Sequence, residues 1–291
     1  MFQLGTALLD GQPTPVIRTS GKLHRLDTVL GEAAGSSLDD VFADWPEWRE
    51  RIGRALPGAH AAPALDEAGL AWLPPIARPP KLICIGTNYT DHIAEMAVPD
   101  MPRFPYAFLK PTTTLAGSGA TVALPKQARM VDWEAELAVV IGRRVRDVRG
   151  EAATGAVAGY AVLNDLSARD WIADRPSLGI DWVMQKAHDG FAPMGPFITP
   201  AEFVPDPQSL SMRLTVNGQV MQDSNTSRMV FGVREIIEHL AGIMPLEPGD
   251  VIATGTPAGV GYGRTPRVFL KPGDLVAVTI ERLGHLETRF A

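Results

Sequence analysis

The hydrophobic pattern is mostly that of short strands punctuated by Gly and Pro, with helical spacing in a few segments only. Residues 2–30 read as short strands, with apolar positions from Leu4 to Leu9, a turn at Asp10-Gly11, then Val16-Ile17. Residues 38–56 have helical spacing: Leu38, Val41, Phe42, Trp45, Trp48 and Ile52 fall on one side, and Pro46 either breaks this helix or opens a second. Prolines then accumulate through Pro57, Pro63, Pro74-Pro75 and Pro79-Pro80. This predicts a boundary between a small N-terminal α/β domain, residues 1–76, and a main domain, residues 80–291. The main domain opens with a strand at 81–85 and a short helix from about residue 90. Further strands are predicted at 131–142, 158–163 and 251–253, with a helix over 232–243. Asn217-Gly218 suits a tight type I′ turn and joins 211–216 to 219–222 as a hairpin. Strands and long helices do not alternate, so a doubly wound parallel sheet is excluded and the fold class is α+β, mostly β.

The stretch 131–142 carries the first candidate chemistry. Side chains two apart in a strand share a face, which puts Glu134 and Glu136 together at the head of the apolar Ala138 and Val140. Two carboxylates so placed repel unless a cation lies between them, and a hard divalent ion takes oxygen ligands of this kind. The plainer alternative is an exposed end of an edge strand. Asp165, where a strand hands over to a turn, is a third carboxylate for the same site, or a turn former.

Composition narrows the class without choosing among these. The 291 residues allow a substantial core, and 45% hydrophobic with 21% charged residues is ordinary for a globular protein. A net charge of −6 without basic runs gives no footprint for nucleic acid or an anionic membrane. No apolar run approaches the ~20 residues of a membrane span. The single cysteine, Cys84, lies in an apolar run and reads as a buried, inert thiol. With no secretion signal visible, the expected compartment is cytoplasmic.

Three further features bear on chemistry. On a helix from residue 90, His92 and Glu95 share a face, which makes either a general base oriented by a carboxylate or a surface pair. Lys186, among apolar and aromatic neighbours, either balances developing negative charge or is simply solvated. The glycine-dense run from Thr254 to Gly263 lacks the Gly-Lys-Ser/Thr of a phosphate loop; its backbone N–H groups either meet a ligand carboxylate or form a plain turn.

Taken in order and at their spacing, these segments resemble the fumarylacetoacetate hydrolase family. The likeness runs over roughly residues 80–290. It is carried by Gly86-Thr87-Asn88-Tyr89 through Glu95, Glu134-Ala135-Glu136, Asn164-Asp165 with Ser167-Ala168-Arg169-Asp170, and Lys186. Phe191 to Pro196, Gln222 with Asn225-Thr226-Ser227, and Thr254 to Gly261 add to it. The resemblance implies a mixed β-sheet roll, usually as a homodimer, with Mg2+ (or Mn2+) held by Glu134, Glu136 and Asp165. It implies His92, Glu95 and Lys186 as catalytic residues, and Gly255, Thr256, Gln222 and Asn88 as contacts to a small 2-oxo acid. The expected reaction is hydrolysis of a carbon–carbon bond in an acylpyruvate-like or other β-diketo acid. The same scaffold also supports lyases and isomerases, such as a 2-oxo acid decarboxylase or a dehydratase of a 2-oxo-3-deoxy sugar acid. Two positions depart from the family pattern. Position 188 is His where an aromatic is common, placing a titratable group near Lys186, and Asp91, the nearest counterpart of an extra acidic ligand, is expected to be structural.

Overall fold

A computed structural model describes residues 1–31, 37–97, 100–173, 177 and 179–291. Strand Ala135–Ile141 lies centrally in a ten-stranded sheet, paired antiparallel to Val157–Asn164 on one side and Val251–Ala253 on the other. Beyond Val251–Ala253 come Leu82–Gly86, the one parallel neighbour, and then Tyr106–Lys110 at the edge. A second, five-stranded sheet holds the Ser211–Val216 and Gln219–Asn225 hairpin, then Leu275–Ile280, Gly284–Phe290 and Ala120–Val122. Asn217 and Gly218, both at positive φ, turn that hairpin as their sequence demands.

The central strand is buried on both faces, and its period of two sorts its side chains between two cores. Leu137, Val139 and Ile141 pack in one cluster with Leu214, Val276 and Val278 of the second sheet and Ile236 and Leu240 of helix Val233–Ile243. Ala138 and Val140 join the opposite cluster with Leu38, Phe42 and Ile52 of the N-terminal helices. Each large side chain so buried contributes about 1.5–3 kcal/mol. A charge at Val139 would lie between the sheets without a partner.

One expectation, a single strand over 131–142, needs correction. The N-terminal strands join the main sheet: Phe2–Leu9 pairs with Phe197–Pro200, and Phe2 and Leu4 share a core with Leu82 and Ala138. Pro46 opens a second helix, one of the two expected outcomes: residues 38–56 form Leu38–Ala43 and Trp45–Ala55, with Pro46 in the first turn of the second, where its missing N–H costs nothing. The 131–142 stretch is two strands, Val131–Asp132 and Ala135–Ile141, and Glu134 sits in the break.

Candidate active site

That break positions the acidic residues. Register pairs Ala135 with Asn164, and the Asp165 N–H donates to the Glu134 carbonyl at 2.9 Å, so two segments thirty residues apart end side by side. Glu134, Glu136 and Asp165 are all buried, and one carboxylate oxygen of each lies within 4.8 Å of the others. The structure thus brings together the three acids expected from the sequence.

Cations surround them unevenly. Lys186 Nζ donates to Glu134 Oε2 and Asp165 Oδ2, both at 2.6 Å. Lys110 Nζ, fully buried, donates to Asp165 Oδ1 at 2.6 Å and to the Phe191 carbonyl at 2.7 Å. Arg169 donates from Nη2 to Glu134 Oε1 at 2.5 Å and from Nε to Asp132 Oδ2 at 3.0 Å. Asp132 in turn accepts from the Gly261 and Tyr262 N–H groups at 2.6 and 3.0 Å. Among the described residues Glu136 has a single hydrogen bond, from the Gly255 N–H at 2.7 Å.

The ionisation of the two glutamates follows from this asymmetry. Burial alone would raise the Glu134 carboxyl, but Lys186 and Arg169 outweigh it and hold the group down at about 2. Burial, then the charges of Asp165 and Glu134, push the Glu136 carboxyl well above the usual carboxylate range, and Lys186 and the Gly255 N–H only partly oppose this. A buried oxygen cluster with one carboxylate left short of positive charge fits a hard divalent ion with oxygen ligands.

The same residues line a cavity of about 240 Å³. Glu134, Glu136, Asp165, Lys186, Arg169 and Thr256 form its polar side, and Met96, Phe108, Ile172, Ile180 and Trp182 its apolar side. His92 faces this cavity from helix Thr90–Glu95, with Nδ1 at 3.2 Å from Glu95 Oε2. Glu95 Oε1 accepts from the Gly259 N–H at 2.9 Å, so the dyad is fixed to the glycine loop. Asp91 accepts from the Ser224 hydroxyl, Arg228 and the Ala258 N–H, which ties the helix down away from the three acids.

Gly255 has φ +95°, and a Cβ there would lie 2.8 Å from Asn88 Cβ, so only glycine delivers its N–H to Glu136. Two expected substrate contacts are otherwise employed. Asn88 is fully buried: its amide donates to the Phe231 and Thr254 carbonyls and its oxygen accepts from the Phe231 N–H, leaving no donor for a ligand. Gln222 accepts from the Ala135 N–H and donates to the Thr256 hydroxyl and the Pro257 carbonyl, so it positions the strand and the Thr256 loop from behind. His188 turns away from the acids, its Nε2 at 2.9 Å from the Met184 carbonyl and its ring on Phe191. Cys84 is buried and its thiol is pushed up chiefly by burial, as an inert thiol should be.

Sequence reasoning gave no role to Asp132, Lys110 or Arg169. Asp132 stands two residues before Glu134, so the period that paired the glutamates also pointed to it. Lys110 had no comparable signal and Arg169 only its place in a matching segment, because their partners lie far away in the chain.

The fumarylacetoacetate (FAA) hydrolase C-terminal family matches residues 81–291. The chain belongs to the fumarylacetoacetate hydrolase family. The match begins where the prolines end, and the whole-chain likeness to solved members includes the N-terminal strands. The fumarylacetoacetate hydrolase of Exiguobacterium antarcticum is 31% identical with a TM-score of 0.84, covering 100% of this chain and 99% of that one. The maleylpyruvate hydrolase of Sphingobium sp. SYK-6, solved with manganese(II) and pyruvate, is 29% identical with a TM-score of 0.79, covering 99% and 98%. Among named relatives, the mitochondrial oxaloacetate tautomerase FAHD2A of Bos taurus is 44% identical over 233 residues, 80% of this chain and 73% of the relative. These relatives are hydrolases and a tautomerase, and the chain is an enzyme of this family. No helix among the described residues is long and apolar enough to cross a membrane.

Proposed function

We propose that the protein is a divalent-metal enzyme that moves a proton on the enolisable carbon of a small 2-oxo acid, a keto–enol tautomerase or isomerase. The observation that carries this reading is the placement of His92, oriented by Glu95, on the wall of the cavity that holds the three carboxylates and Lys186. Glu134, Glu136 and Asp165 would hold Mg2+ or Mn2+, which when bound supplies Lewis acidity toward adjacent carboxylate and keto oxygens.

The chain's own residues account for the rest. Glu95 fixes the Nδ1 side of His92, which leaves Nε2 as the basic atom facing the cavity. That nitrogen takes the proton from the carbon beside the ketone, and the pair of electrons left behind moves toward the keto oxygen. Lys186 opposes the growing negative charge, and the apolar wall of Phe108 and Trp182 keeps water away. Returning the proton to oxygen gives the enol, and the reverse path gives the ketone. The 44% identity to an oxaloacetate tautomerase supports this outcome over others.

Hydrolysis of a carbon–carbon bond in an acylpyruvate-like or β-diketo acid is the second reading. It is favoured by the same dyad, which is suited to activate water, and by likeness to a maleylpyruvate hydrolase. A homodimer belongs to the proposal. Its support is the unpaired sheet edge Tyr106–Lys110, where Tyr106 and Leu109 are exposed beside the exposed Val183 and Met184 of helix Trp182–Lys186. The lone buried Cys84 accords with a reducing cytoplasm.

The test is deuterium incorporation beside the ketone of oxaloacetate and of an acylpyruvate, with simultaneous assay of carbon–carbon cleavage, in Mn2+ and in chelator. Metal-dependent exchange without cleavage supports the first reading, and cleavage the second. Neither exchange nor cleavage of any 2-oxo acid would sink both.

A further inference from the structure

One wall of the cavity holds a polar group that nothing above uses. Gln185 precedes Lys186 on helix Trp182–Lys186, is 1% exposed, and lines the cavity. Its side-chain oxygen Oε1 is buried and has no hydrogen-bond partner. Leaving an amide oxygen so placed is costly, and buried amides are ordinarily satisfied by protein, water or ligand. The three carboxylates, by contrast, are held by Lys110, Lys186, Arg169 and the Gly255 N–H, so Gln185 has no part in supporting them.

What would satisfy Gln185 must donate a hydrogen bond. The cavity it lines has an apolar side, formed by Met96, Phe108, Ile180 and Trp182, which suits a short carbon chain. An ammonium donor is disfavoured because the next residue, Lys186, already places a cation beside the same cavity. A neutral hydroxyl fits both neighbours.

We propose that Gln185 is a specificity-determining residue that accepts a hydrogen bond from a hydroxyl on the substrate's carbon chain, so that the preferred substrates are hydroxylated 2-oxo acids. This rests on the 2-oxo acid reading above. A site that hydrogen-bonds a substrate hydroxyl discriminates against the analogue lacking it, because the protein's polar group is then left unpaired.

The probes are 4-hydroxy-2-oxobutyrate and 2-oxobutyrate, which differ by that one hydroxyl. Their binding to the Mn2+-loaded protein is read by calorimetry and by the fluorescence of Trp182, with no turnover required. The wild type should bind the hydroxylated acid about tenfold more tightly. Gln185→Met, close in shape, and Gln185→Leu should reduce the preference to about onefold while leaving the Kd for 2-oxobutyrate and for Mn2+ within twofold. Equal binding of the two acids by the wild type overturns the proposal, as does an unchanged preference in a variant whose Mn2+ affinity shows it folded. If neither acid binds with Mn2+ present, the 2-oxo acid reading itself fails and this inference falls with it.

Discussion

Replacing Glu136 by Gln should make the metal-free protein more stable and the metal-binding protein worse. The carboxylate oxygens of Glu134, Glu136 and Asp165 lie within 4.8 Å of one another. At an effective dielectric of about 20 that spacing costs about 3.5 kcal/mol per charged pair. The raised value lets Glu136 escape part of this by taking up a proton, and full protonation at pH 7 costs about 3.4 kcal/mol for a group whose ordinary value is 4.5. The smaller figure caps the penalty, and Lys186 relieves part of it, which leaves about 1–3 kcal/mol to be recovered by a neutral isostere that still accepts from the Gly255 N–H. Because the folded-state value is raised, the folded protein holds a proton that the unfolded chain gives up. The metal-free wild type therefore has its full stability below about 4.5 and loses it as pH rises toward the raised value, whereas Glu136→Gln lacks that slope. Urea unfolding in excess chelator at pH 7 and pH 5 measures both numbers, and the variant's advantage should shrink to under about 1 kcal/mol at pH 5. Added Mn2+ should raise the melting temperature of the wild type and leave that of the variant nearly unmoved. A variant no more stable than wild type at pH 7, or an advantage independent of pH, would refute the account of repulsion at this site.

Other substitutions separate chemistry from scaffold. His92→Ala should lower turnover by about 10²–10⁴ while Mn2+ affinity stays within twofold, and Glu95→Gln should act in the same direction with a smaller loss; kinetics beside calorimetry checks both. Asn88→Ala should cost about 2–3 kcal/mol of stability, seen in urea unfolding, because it strands the Phe231 and Thr254 backbone groups. Its KM at saturating metal should change less than twofold if the side chain never meets substrate.

The contrast between Asn88 and Glu136 shows what sequence spacing resolves. The glutamates were readable because their spacing of two marks a shared side, and that spacing extends to Asp132, although the chain breaks into two strands at Glu134. The turn residues Asn217-Gly218 and Pro46 were readable because their backbone preferences act over a few residues. Asn88 and Gln222 stood inside the matching motifs, but their partners belong to distant segments, and an ordered motif does not say which member touches ligand and which braces the loop behind it. Lys110 was visible only as the end of a strand, although it holds Asp165. The proline-rich 74–80 stretch carries only local information: composition marks a change of direction, whereas the pairing of Phe2–Leu9 with Phe197–Pro200 is fixed by residues nearly two hundred positions apart.

The cations that spacing missed determine the charge balance of the site. Asp132, Glu134, Glu136 and Asp165 are met by Lys110, Arg169 and Lys186, all buried. With every group ionised the cluster carries one unbalanced negative charge, and the raised Glu136 carboxyl is the group that most readily takes up a proton against it. A divalent ion in place of that proton turns the balance to one positive charge, which a 2-oxo acid monoanion then cancels. Burial penalises any residual charge, so metal and substrate should favour each other's binding, and substrate should bind poorly to the metal-free protein.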